Sequence, residues 1–531
     1  MVTFNFRNWS FGFDSKSGTA RRSPLALIIM DGWGYSNEFE NNAIARANTP
    51  VYDWINSAYP KTLLEASGER VGLMRGAPGN SEIGHLSLGS GRVVNDELTQ
   101  IMHSIEGGEF FQNAPLRQVF TRARNRSSSV HLIGQVSDGN VESSIESLFA
   151  LLRLAKQENV KNVYIHAILD GIDVPQKTAD IYIEALQIKL ADIGIGEIAT
   201  LCGRYYAMDD GENWARTARA YTMLVHGEGK RCLDPVWAVQ AGYLSNLSDD
   251  LIEPVIIERQ VGVPVGTIKE NDAVIFFNHK TKKLDQLARA IINNQGKKGA
   301  NKKSFVDAFS LITMDSALKI PAAFGAKVED NVLGRVFSDN GLFNCRLAET
   351  ARYSHVTYFF NGRVEMEFPG ESRILISDEQ EDPDLGLSEL GCFNVTDNVV
   401  KRLTHRPDEI VIANFATADL IAHSGSFEKT VEAVEHLDSC LERLIATIRE
   451  IDGVALITSD HGNCEQMFDE YTGEFSSRHT RNPVPLHLVG NSVSNVKLRN
   501  NGALEDVAPT ILGMLGIEKP FEMTGSDLRI L

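Results

Sequence analysis

Residues 25–34 read Leu-Ala-Leu-Ile-Ile-Met-Asp-Gly-Trp-Gly, an unbroken apolar run that ends directly in a polar turn containing glycine. A short apolar run bounded by such a turn is typical of a buried strand in a parallel sheet. Similar runs recur at residues 130–133, 163–168, 273–277, 411–414 and 454–458, and longer helical patterns separate them. This alternation predicts an α/β fold with doubly wound, mostly parallel sheets.

The composition argues against several classes of protein. The chain has 531 residues, of which 43% are hydrophobic and 23% charged, as is typical of a soluble globular protein with two or three domains. Its net charge of −18 has the wrong sign for a nucleic-acid backbone, so no nucleic-acid partner is expected. Because no run is long and apolar enough to span a membrane, and residues 1–22 lack a signal-peptide core, we expect a cytoplasmic protein without a membrane partner. An organellar address within residues 1–22 is the alternative.

The polar turns that follow the apolar runs identify where ligands should bind, since ligands gather at the carboxyl ends of strands in α/β sheets. Turns with candidate functional residues lie on both sides of a long middle segment. We therefore predict a discontinuous domain of residues 23–97 and 319–531, an inserted domain of residues 98–318 and an N-terminal extension of residues 1–22. An exposed loop rich in Lys, Gly and Asn is predicted at residues 293–303.

Asp419 and His423 lie four residues apart in a segment with a helical pattern. Side chains at this spacing leave the same face of a helix, so this carboxylate and imidazole can bind one metal ion together. Taken alone, however, such a pair is more often a solvated Asp and His on a helix surface.

Asp460 and His461 are adjacent and closely follow the apolar run at residues 454–458. Neighbouring side chains in an extended chain point to opposite sides, which favours two metal ions over one, although a turn Asp beside an incidental His is an equally good interpretation. His479 is a further candidate, and Asp31 ends the first run, where a buried carboxylate needs a partner. Nitrogen and oxygen donors, with no C-x-x-C pair among the six cysteines, favour Mn²⁺, with Zn²⁺ or Mg²⁺ as alternatives.

Ser81 precedes a helical pattern in the segment Gly79-Asn80-Ser81-Glu82-Ile83-Gly84-His85. A serine hydroxyl is a poor nucleophile at neutral pH and needs a base or a metal ion to activate it. The alternative interpretation is a simple N-cap of the helix.

Together these motifs resemble those of the cofactor-independent phosphoglycerate mutases of the alkaline phosphatase superfamily. The matching motifs are Asp31-Gly32-Trp33-Gly34, Gly79-Asn80-Ser81-Glu82-Ile83-Gly84-His85, Asp419 with His423, Ser459-Asp460-His461-Gly462-Asn463, and His479 with Asn482-Pro483-Val484-Pro485. The resemblance runs from about residue 23 to the end of the sequence. It implies two domains, an alkaline-phosphatase-like doubly wound sheet domain that binds metal and a second α/β domain inserted in it that binds substrate.

The resemblance also implies the chemistry of the site. Ser81 would take a phosphoryl group and return it to a different hydroxyl, so that 3-phosphoglycerate and 2-phosphoglycerate interconvert through a phosphoserine. Two ions, expected to be Mn²⁺, would clamp the attacking and leaving oxygens, and 2,3-bisphosphoglycerate would not be required. The implied ligands are Asp419, His423 and His479 for one ion, and Asp31, Ser81, Asp460 and His461 for the other. A monomer that acts on a small phosphorylated acid is expected.

The resemblance is weaker at the positions that bind the organic part of the substrate. Asp173 and Arg204 match. The other candidate substrate residues differ: Glu142 stands where the family has His, Asp210 where it has a basic residue, Lys280 and Lys283 where it has a pair of arginines, and Arg352 where it has Lys, while Ile172 replaces an Arg. Lysine and arginine at these positions keep positive charge, whereas Asp210 would repel a substrate carboxylate.

Three hypotheses follow from this pattern. The chain interconverts the two phosphoglycerates with a rearranged set of substrate contacts, or it is a paralogue that applies the same chemistry to another small phosphoester or phosphonate-pathway acid. In the third hypothesis it is a non-catalytic binding protein, against which the complete set of metal ligands argues.

Overall fold

The computed structural model describes residues 23–293, 306–325, 327–377, 391–469 and 473–530, which fold into two compact α/β units. The chain up to Asp96 and from Lys327 onward belongs to the first unit, and Glu97–Ala326 to the second. The second boundary follows residue 326 because the strand Ala322–Phe324 pairs in parallel with Asp307–Ile312 and so extends the sheet of the second unit. The predicted extension at 1–22 and residues 294–303 of the predicted loop lie outside the described residues.

Within the described residues, the first unit is built on an eight-stranded sheet. Its strands follow the order Glu371–Ile376, Phe343–Glu349, Glu409–Phe415, Leu25–Met30, Val454–Thr458, Val484–Val489, Lys61–Glu65 and Gly502–Ala503. Neighbouring strands are parallel except at Val484–Val489, which runs antiparallel to the strands on both its sides.

Burial on both faces explains why the central strands are uninterrupted apolar runs. Alternate residues of Leu25–Met30 pack into two different hydrophobic cores, as the two-residue period of a strand requires. The helices of this unit are Ala43–Arg46, Pro50–Ala58, Ser81–Ser90, Leu333–Asp339, Gly391–His405, Thr417–Ala422, Phe427–Glu450 and Val507–Met514, with a π-helix at His355–Phe359.

The second unit, over its described residues, has a nine-stranded sheet. Its strands follow the order Ala322–Phe324, Asp307–Ile312, Ala273–Phe276, Val130–Gln135, Val163–Leu169, Glu197–Gly203, Val255–Gln260 and Lys230–Cys232, and Val263–Pro264 pairs with Val255–Gln260. The first six strands are parallel. The helices are Glu97–Gly107, Ala114–Arg126, Ile145–Gln157, Ala179–Ile193, Arg204–Ala207, Trp214–His226, Pro235–Leu244 and Asp285–Asn293.

The predicted α/β fold is confirmed. Leu25–Met30 and Val454–Thr458 begin and end as predicted, and the other predicted strands differ by one or two residues at their ends. The six cysteines are free thiols. In the described parts of the chain, no helix combines the length and the apolar character needed to cross a bilayer.

Candidate active site

Asp31 and Ser81 are brought to the same edge of the first sheet by different elements. Asp31 directly follows the first strand and is fully buried. Ser81 is the first residue of the helix Ser81–Ser90, and Asn80 is its N-cap, because the Asn80 side chain accepts a hydrogen bond from the Ile83 N–H (3.0 Å). The alternative interpretation of Ser81 as the helix cap is therefore wrong, and its hydroxyl contacts other groups.

The Ser81 hydroxyl lies in a buried group with His461, Asp31 and Asp460. Ser81 Oγ is 2.7 Å from His461 Nε2, and that nitrogen is 3.3 Å from Asp31 Oδ1 and 3.4 Å from Asp460 Oδ2. The side chains of Asp460 and His461 thus meet. The expectation that they point to opposite sides is wrong, because both residues lie in the bend that follows the strand Val454–Thr458 and not in extended chain.

A second group forms around Asp419 in the same unit. The predicted helix is present at Thr417–Ala422, and His423 follows it directly. Asp419 and His423 therefore lie on the same face, with His423 Nε2 3.3 Å from Asp419 Oδ2. His479 Nε2 is 3.0 Å from His423 Nε2 and 3.8 Å from Asp419 Oδ1. The His461 and His479 rings stack with their centroids 3.7 Å apart, so the two groups are immediate neighbours.

The histidine tautomers in the second group suit metal binding. His423 Nδ1 lies 2.7 Å from the Ser477 carbonyl oxygen, and His479 Nδ1 lies 2.9 Å from the Gly79 carbonyl oxygen. Because a carbonyl oxygen only accepts hydrogen bonds, each Nδ1 carries a proton, and Nε2 is the nitrogen that a neutral ring can offer to a metal ion beside Asp419. The two Nε2 atoms are 3.0 Å apart, so a metal ion between them and Asp419 would be bound by both.

The first group contains carboxylate oxygens that lack hydrogen bonds. Asp31 Oδ1 and Asp460 Oδ2 are buried and accept no hydrogen bond from the described residues. Buried acceptors without a donor are costly, and a divalent cation would satisfy both oxygens together with His461 Nε2. The two groups therefore fit two divalent ions.

The electrostatics of the site favour positive charge among these side chains. Burial alone would raise the pKa of Asp31, but the Arg352 guanidinium holds that pKa well below its usual range. Burial would lower the pKa of His461, yet the Asp460 carboxylate and its neighbours raise it to about 10. The carboxylates thus stabilise a cation at the position of His461, as they would stabilise a bound metal ion.

Arg352 joins the two groups. Its Nε donates to Asp31 Oδ2 (2.7 Å), and its Nη2 donates to Asp419 Oδ2 (2.5 Å). Arg352 was predicted to contact substrate from the discontinuous domain, and in the structure it lies in the first unit, against the candidate metal ligands. A guanidinium in this position offsets part of the charge of the two carboxylates.

His85 and Asn414 support the first group and were not predicted. Asn414 Nδ2 donates to Asp31 Oδ2 (2.9 Å) and to His85 Nε2 (3.0 Å), while His85 Nδ1 donates to the Ser81 carbonyl oxygen (2.8 Å). By distance alone Asp31, His85 and Asp460 could also hold an ion. Both ring nitrogens of His85 are engaged, however, so we assign it a supporting role. Asn414 could have been identified from the sequence, because it ends the apolar run at residues 411–414.

Glu465 was not predicted either, although its carboxylate forms hydrogen bonds with three loops of the site. The buried Glu465 carboxylate accepts hydrogen bonds from four donors, which are the backbone N–H groups of Gly34 and Asn463 and the side chains of Thr480 and Asn482. Asn463 in turn donates from Nδ2 to Asp419 Oδ1 (2.8 Å). Nothing in the sequence distinguishes this glutamate from a surface one, since its partners lie far away along the chain.

Replacing Glu465 by glutamine should weaken metal binding without touching a candidate ligand. The amide would turn N–H donors toward groups that are themselves donors, so the loops should loosen. We expect divalent-metal affinity to fall by about 10- to 100-fold in calorimetric titration. Glu435→Gln is the control, because Glu435 is partly exposed and accepts the backbone N–H of Asn48 (2.9 Å). Equal metal affinity in the two variants would contradict the positioning role.

Four of the predicted substrate residues meet in the second unit. Arg204 Nη1 donates to Asp173 Oδ2 (2.6 Å), and its Nη2 donates to Glu142 Oε1 (3.4 Å). Lys283 Nζ donates to the same Glu142 oxygen (2.7 Å). Lys280 and Asp210, which were also predicted to contact substrate, are exposed. Ile172, which stands where the family has an arginine, is 62% exposed.

Comparison with known proteins identifies the family. The metalloenzyme superfamily profile matches residues 23–519. The chain is 43% identical over 509 residues to the 2,3-bisphosphoglycerate-independent phosphoglycerate mutase of Desulforudis audaxviator, covering 95% of this chain and 99% of that one. It is 44% identical to the protein of the same name from Moorella thermoacetica, with 96% and 98% covered.

A solved structure agrees with this relationship. The crystal structure of Leishmania mexicana phosphoglycerate mutase at low cobalt concentration is 25% identical, covers 96% of this chain and 98% of its own, and superposes with a TM-score of 0.75. The two-unit α/β fold and the family model therefore agree, and the predicted resemblance is confirmed. The chain belongs to the metalloenzyme superfamily and, within it, to the family of 2,3-bisphosphoglycerate-independent phosphoglycerate mutases.

Proposed function

We propose that this chain transfers a phosphoryl group through a phosphoserine at Ser81 and thereby interconverts 3-phosphoglycerate and 2-phosphoglycerate without 2,3-bisphosphoglycerate. The observation that carries the proposal is the position of Ser81 Oγ, 2.7 Å from His461 Nε2 in a buried group of carboxylates. Family membership supports the same reaction, since relatives that match nearly the whole chain bear the name of that mutase.

Two divalent ions, which we propose to be Mn²⁺, belong to the active enzyme. The residues that would hold them are Asp419, His423 and His479 for one ion, and Asp31, Ser81, Asp460 and His461 for the other. Their donors are nitrogen and oxygen atoms, which suit Mn²⁺. When bound, the ions would neutralise charge on the transferring phosphoryl group and make the Ser81 hydroxyl easier to deprotonate.

Ser81 provides the acceptor oxygen and later the leaving oxygen. Its Oγ forms a bond to phosphorus while the phosphorus–oxygen bond of the substrate ester breaks, and the released alcohol oxygen gains a proton to balance the proton that Ser81 loses. A second hydroxyl of the same molecule then forms a bond to phosphorus, the Ser81 ester bond breaks, and the serine hydroxyl is restored. No proton or phosphoryl group is consumed over the cycle.

Two features of the first unit favour an anion at Ser81. Ser81 is the first residue of a ten-residue helix, and the N-terminus of a helix stabilises negative charge. Arg352, held by Asp31 and Asp419, supplies a planar guanidinium that can donate to phosphoryl oxygens as well. Both features act on the phosphoryl group, whatever organic part it is attached to.

A coupled assay tests the proposed reaction. Purified full-length chain with Mn²⁺ and 3-phosphoglycerate should produce phosphoenolpyruvate when enolase is added and 2,3-bisphosphoglycerate is omitted. The reverse reaction from 2-phosphoglycerate should run as well, because both directions use the same phosphoserine. Absence of phosphoenolpyruvate in the metal-loaded sample would contradict the assignment of the phosphoglycerates as substrates.

A second candidate function is the same chemistry on a different small phosphoester. It is favoured by the contacts of Arg204, which lies among carboxylates of its own unit. The assembled group around Ser81 argues against the hypothesis of a non-catalytic binding protein. The cytoplasmic location, the monomeric state and a role in glycolysis stay predictions.

A further inference from the structure

Two arginines lie side by side in the interior of the first unit. Arg346 belongs to the strand Phe343–Glu349, and Arg373 belongs to the neighbouring parallel strand Glu371–Ile376. The two residues are direct partners in the register, so both side chains leave the same face of the sheet, on strands about 4.8 Å apart. Arg346 is fully buried, and the side chain of Arg373 is 7% exposed. Two positive charges are therefore held close together and away from solvent.

Within the described residues, the carboxylate beside these charges is that of Glu371. Arg373 Nε donates to Glu371 Oε1 (2.7 Å), and Glu371 Oε2 accepts a hydrogen bond from Asn361 Nδ2 (2.8 Å). Burial lowers the pKa of Arg346 to about 10, so its guanidinium is still protonated at neutral pH. Two guanidiniums and one carboxylate leave one positive charge in excess. A buried charge is costly without a partner of opposite sign.

Three buried N–H donors on this face have no acceptor among the described residues. They are Arg346 Nη1, Arg373 Nη2 and Asn344 Nδ2. Asn344 lies two residues before Arg346 in the same strand, and so on the same face. Its Oδ1 accepts from Arg346 Nε (2.8 Å), and because arginine only donates, the other terminal atom of Asn344 is its NH₂ group. We name Asn344, Arg346 and Arg373 the paired-arginine site.

Other contacts fix both guanidiniums in place. Arg346 Cζ lies 4.4 Å from the centre of the Phe360 ring, and Arg346 Nη2 is 3.5 Å from Asn361 Oδ1. Arg373 Nη1 donates to the Glu365 carbonyl oxygen (2.8 Å). Because a guanidinium is planar and rigid, these contacts also fix the directions of the unpaired N–H groups. The donors are thus oriented before any ligand binds.

We propose that the paired-arginine site binds a small monovalent anion of the halide class, such as chloride. A halide accepts hydrogen bonds from all three donors and balances the one excess positive charge, whereas a water molecule brings no charge. None of the three residues is a candidate metal ligand or a candidate substrate residue. The anion site is therefore independent of the proposed phosphoryl transfer at Ser81, and its tests need no substrate.

The bound anion stabilises a segment that leads to the candidate active site. The strand Phe343–Glu349 ends three residues before Arg352, which joins the two groups of candidate metal ligands. Phe360, which packs on Arg346, directly follows the π-helix His355–Phe359. An anion between the arginines holds both ends of this segment to the sheet. Its role is structural, since it offsets the repulsion between two buried cations.

Bromide can identify the occupant directly, because it replaces chloride and scatters anomalously. Crystals of the full-length chain are soaked in sodium bromide and measured at the bromine absorption edge. The expected result is an anomalous peak in contact with Arg346 Nη1, Arg373 Nη2 and Asn344 Nδ2. Density at that position without an anomalous signal, as a water molecule would give, or no density at all, would overturn the proposal.

Arg373→Gln tests the site in solution. When sodium chloride replaces sodium gluconate at constant ionic strength, the melting temperature of the unmodified chain should rise and then level off. Arg373→Gln removes an unpaired donor and the excess charge, so chloride should bind about tenfold more weakly or worse. Arg443→Gln is the control, because Arg443 is exposed and donates to Asp397. The same chloride-dependent shift in both variants would refute the role of the arginine pair.

Asn344→Asp gives a second test that keeps both arginines. Its carboxylate has nearly the shape of the amide and places a fixed negative charge beside Arg346, where the anion is proposed to bind. The melting temperature in gluconate should therefore be at least that of the unmodified chain, and the chloride-dependent shift should be lost. A full chloride-dependent shift in Asn344→Asp would contradict binding at this site.

Discussion

Replacing Ser81 by alanine is expected to lower the rate of phosphoglycerate interconversion by about 10⁴-fold or more, since the variant lacks the oxygen that accepts the phosphoryl group. The side chain is buried and small, so the fold should be retained. Three of the four proposed ligands of that ion remain, and most of the metal affinity should therefore persist. The enolase-coupled assay and calorimetric metal titration measure the two effects separately.

Ser87→Ala is the matched control for this variant. Ser87 is buried in the same helix, and its Oγ has no hydrogen-bond partner among the described residues, so its loss should leave activity near that of the unmodified chain. If Ser81→Ala turned over at the rate of Ser87→Ala, the assignment of Ser81 as nucleophile would be refuted.

Removal of the metal ions is expected to abolish transfer and to lower the thermal stability of the first unit. Without cations, the buried oxygens of Asp31 and Asp460 lose their proposed partner. Metal present at 100 times its dissociation constant stabilises a protein by about 2.7 kcal/mol, so dialysis against a chelator should reduce the melting temperature measurably. Addition of Mn²⁺ should restore both activity and melting temperature.

A pair of variants separates metal binding from general stability. Asp460→Asn should weaken divalent-metal affinity by more than about 100-fold, because it removes the charge of a proposed ligand. Asp438→Asn alters another buried carboxylate, which accepts the backbone N–H groups of Val51 and Tyr52, and it should lower stability with unchanged metal affinity. Full activity after exhaustive chelation would contradict the metal-dependent mechanism.

The strands of both units and the helical spacing of Asp419 and His423 were predictable from local pattern. Apolar runs that are buried on both faces, such as Leu25–Met30, indicate parallel strands, and the candidate active site lies where such strands end. The structure also explains why residue 84, in the Ser81 motif, is a glycine. A Cβ at Gly84 would lie 2.6 Å from the Asp460 carbonyl oxygen, so only glycine lets this helix approach the Asp460 turn.

The contacts that position the side chains were not predictable, because they join residues far apart in sequence. Glu465 accepts a hydrogen bond from the backbone N–H of Gly34, which lies 431 residues away in the sequence, and no local pattern predicts such a contact. The side chains of Asp460 and His461 converge because both residues lie in a bend, where an extended chain was predicted. The pairing of Arg204 with three carboxylates likewise depends on four strands ending at one edge of a sheet.

Phosphopeptide mapping would show whether the phosphoryl group passes through Ser81. The Mn²⁺-loaded chain is mixed with 3-phosphoglycerate, quenched rapidly in acid, digested and examined by mass spectrometry, with Ser81→Ala treated in parallel. Phosphate is expected on the peptide that contains Ser81, at that residue, and none is expected on the corresponding peptide of the variant. Turnover with no phosphate on Ser81, or with phosphate on a different residue, would contradict transfer through Ser81.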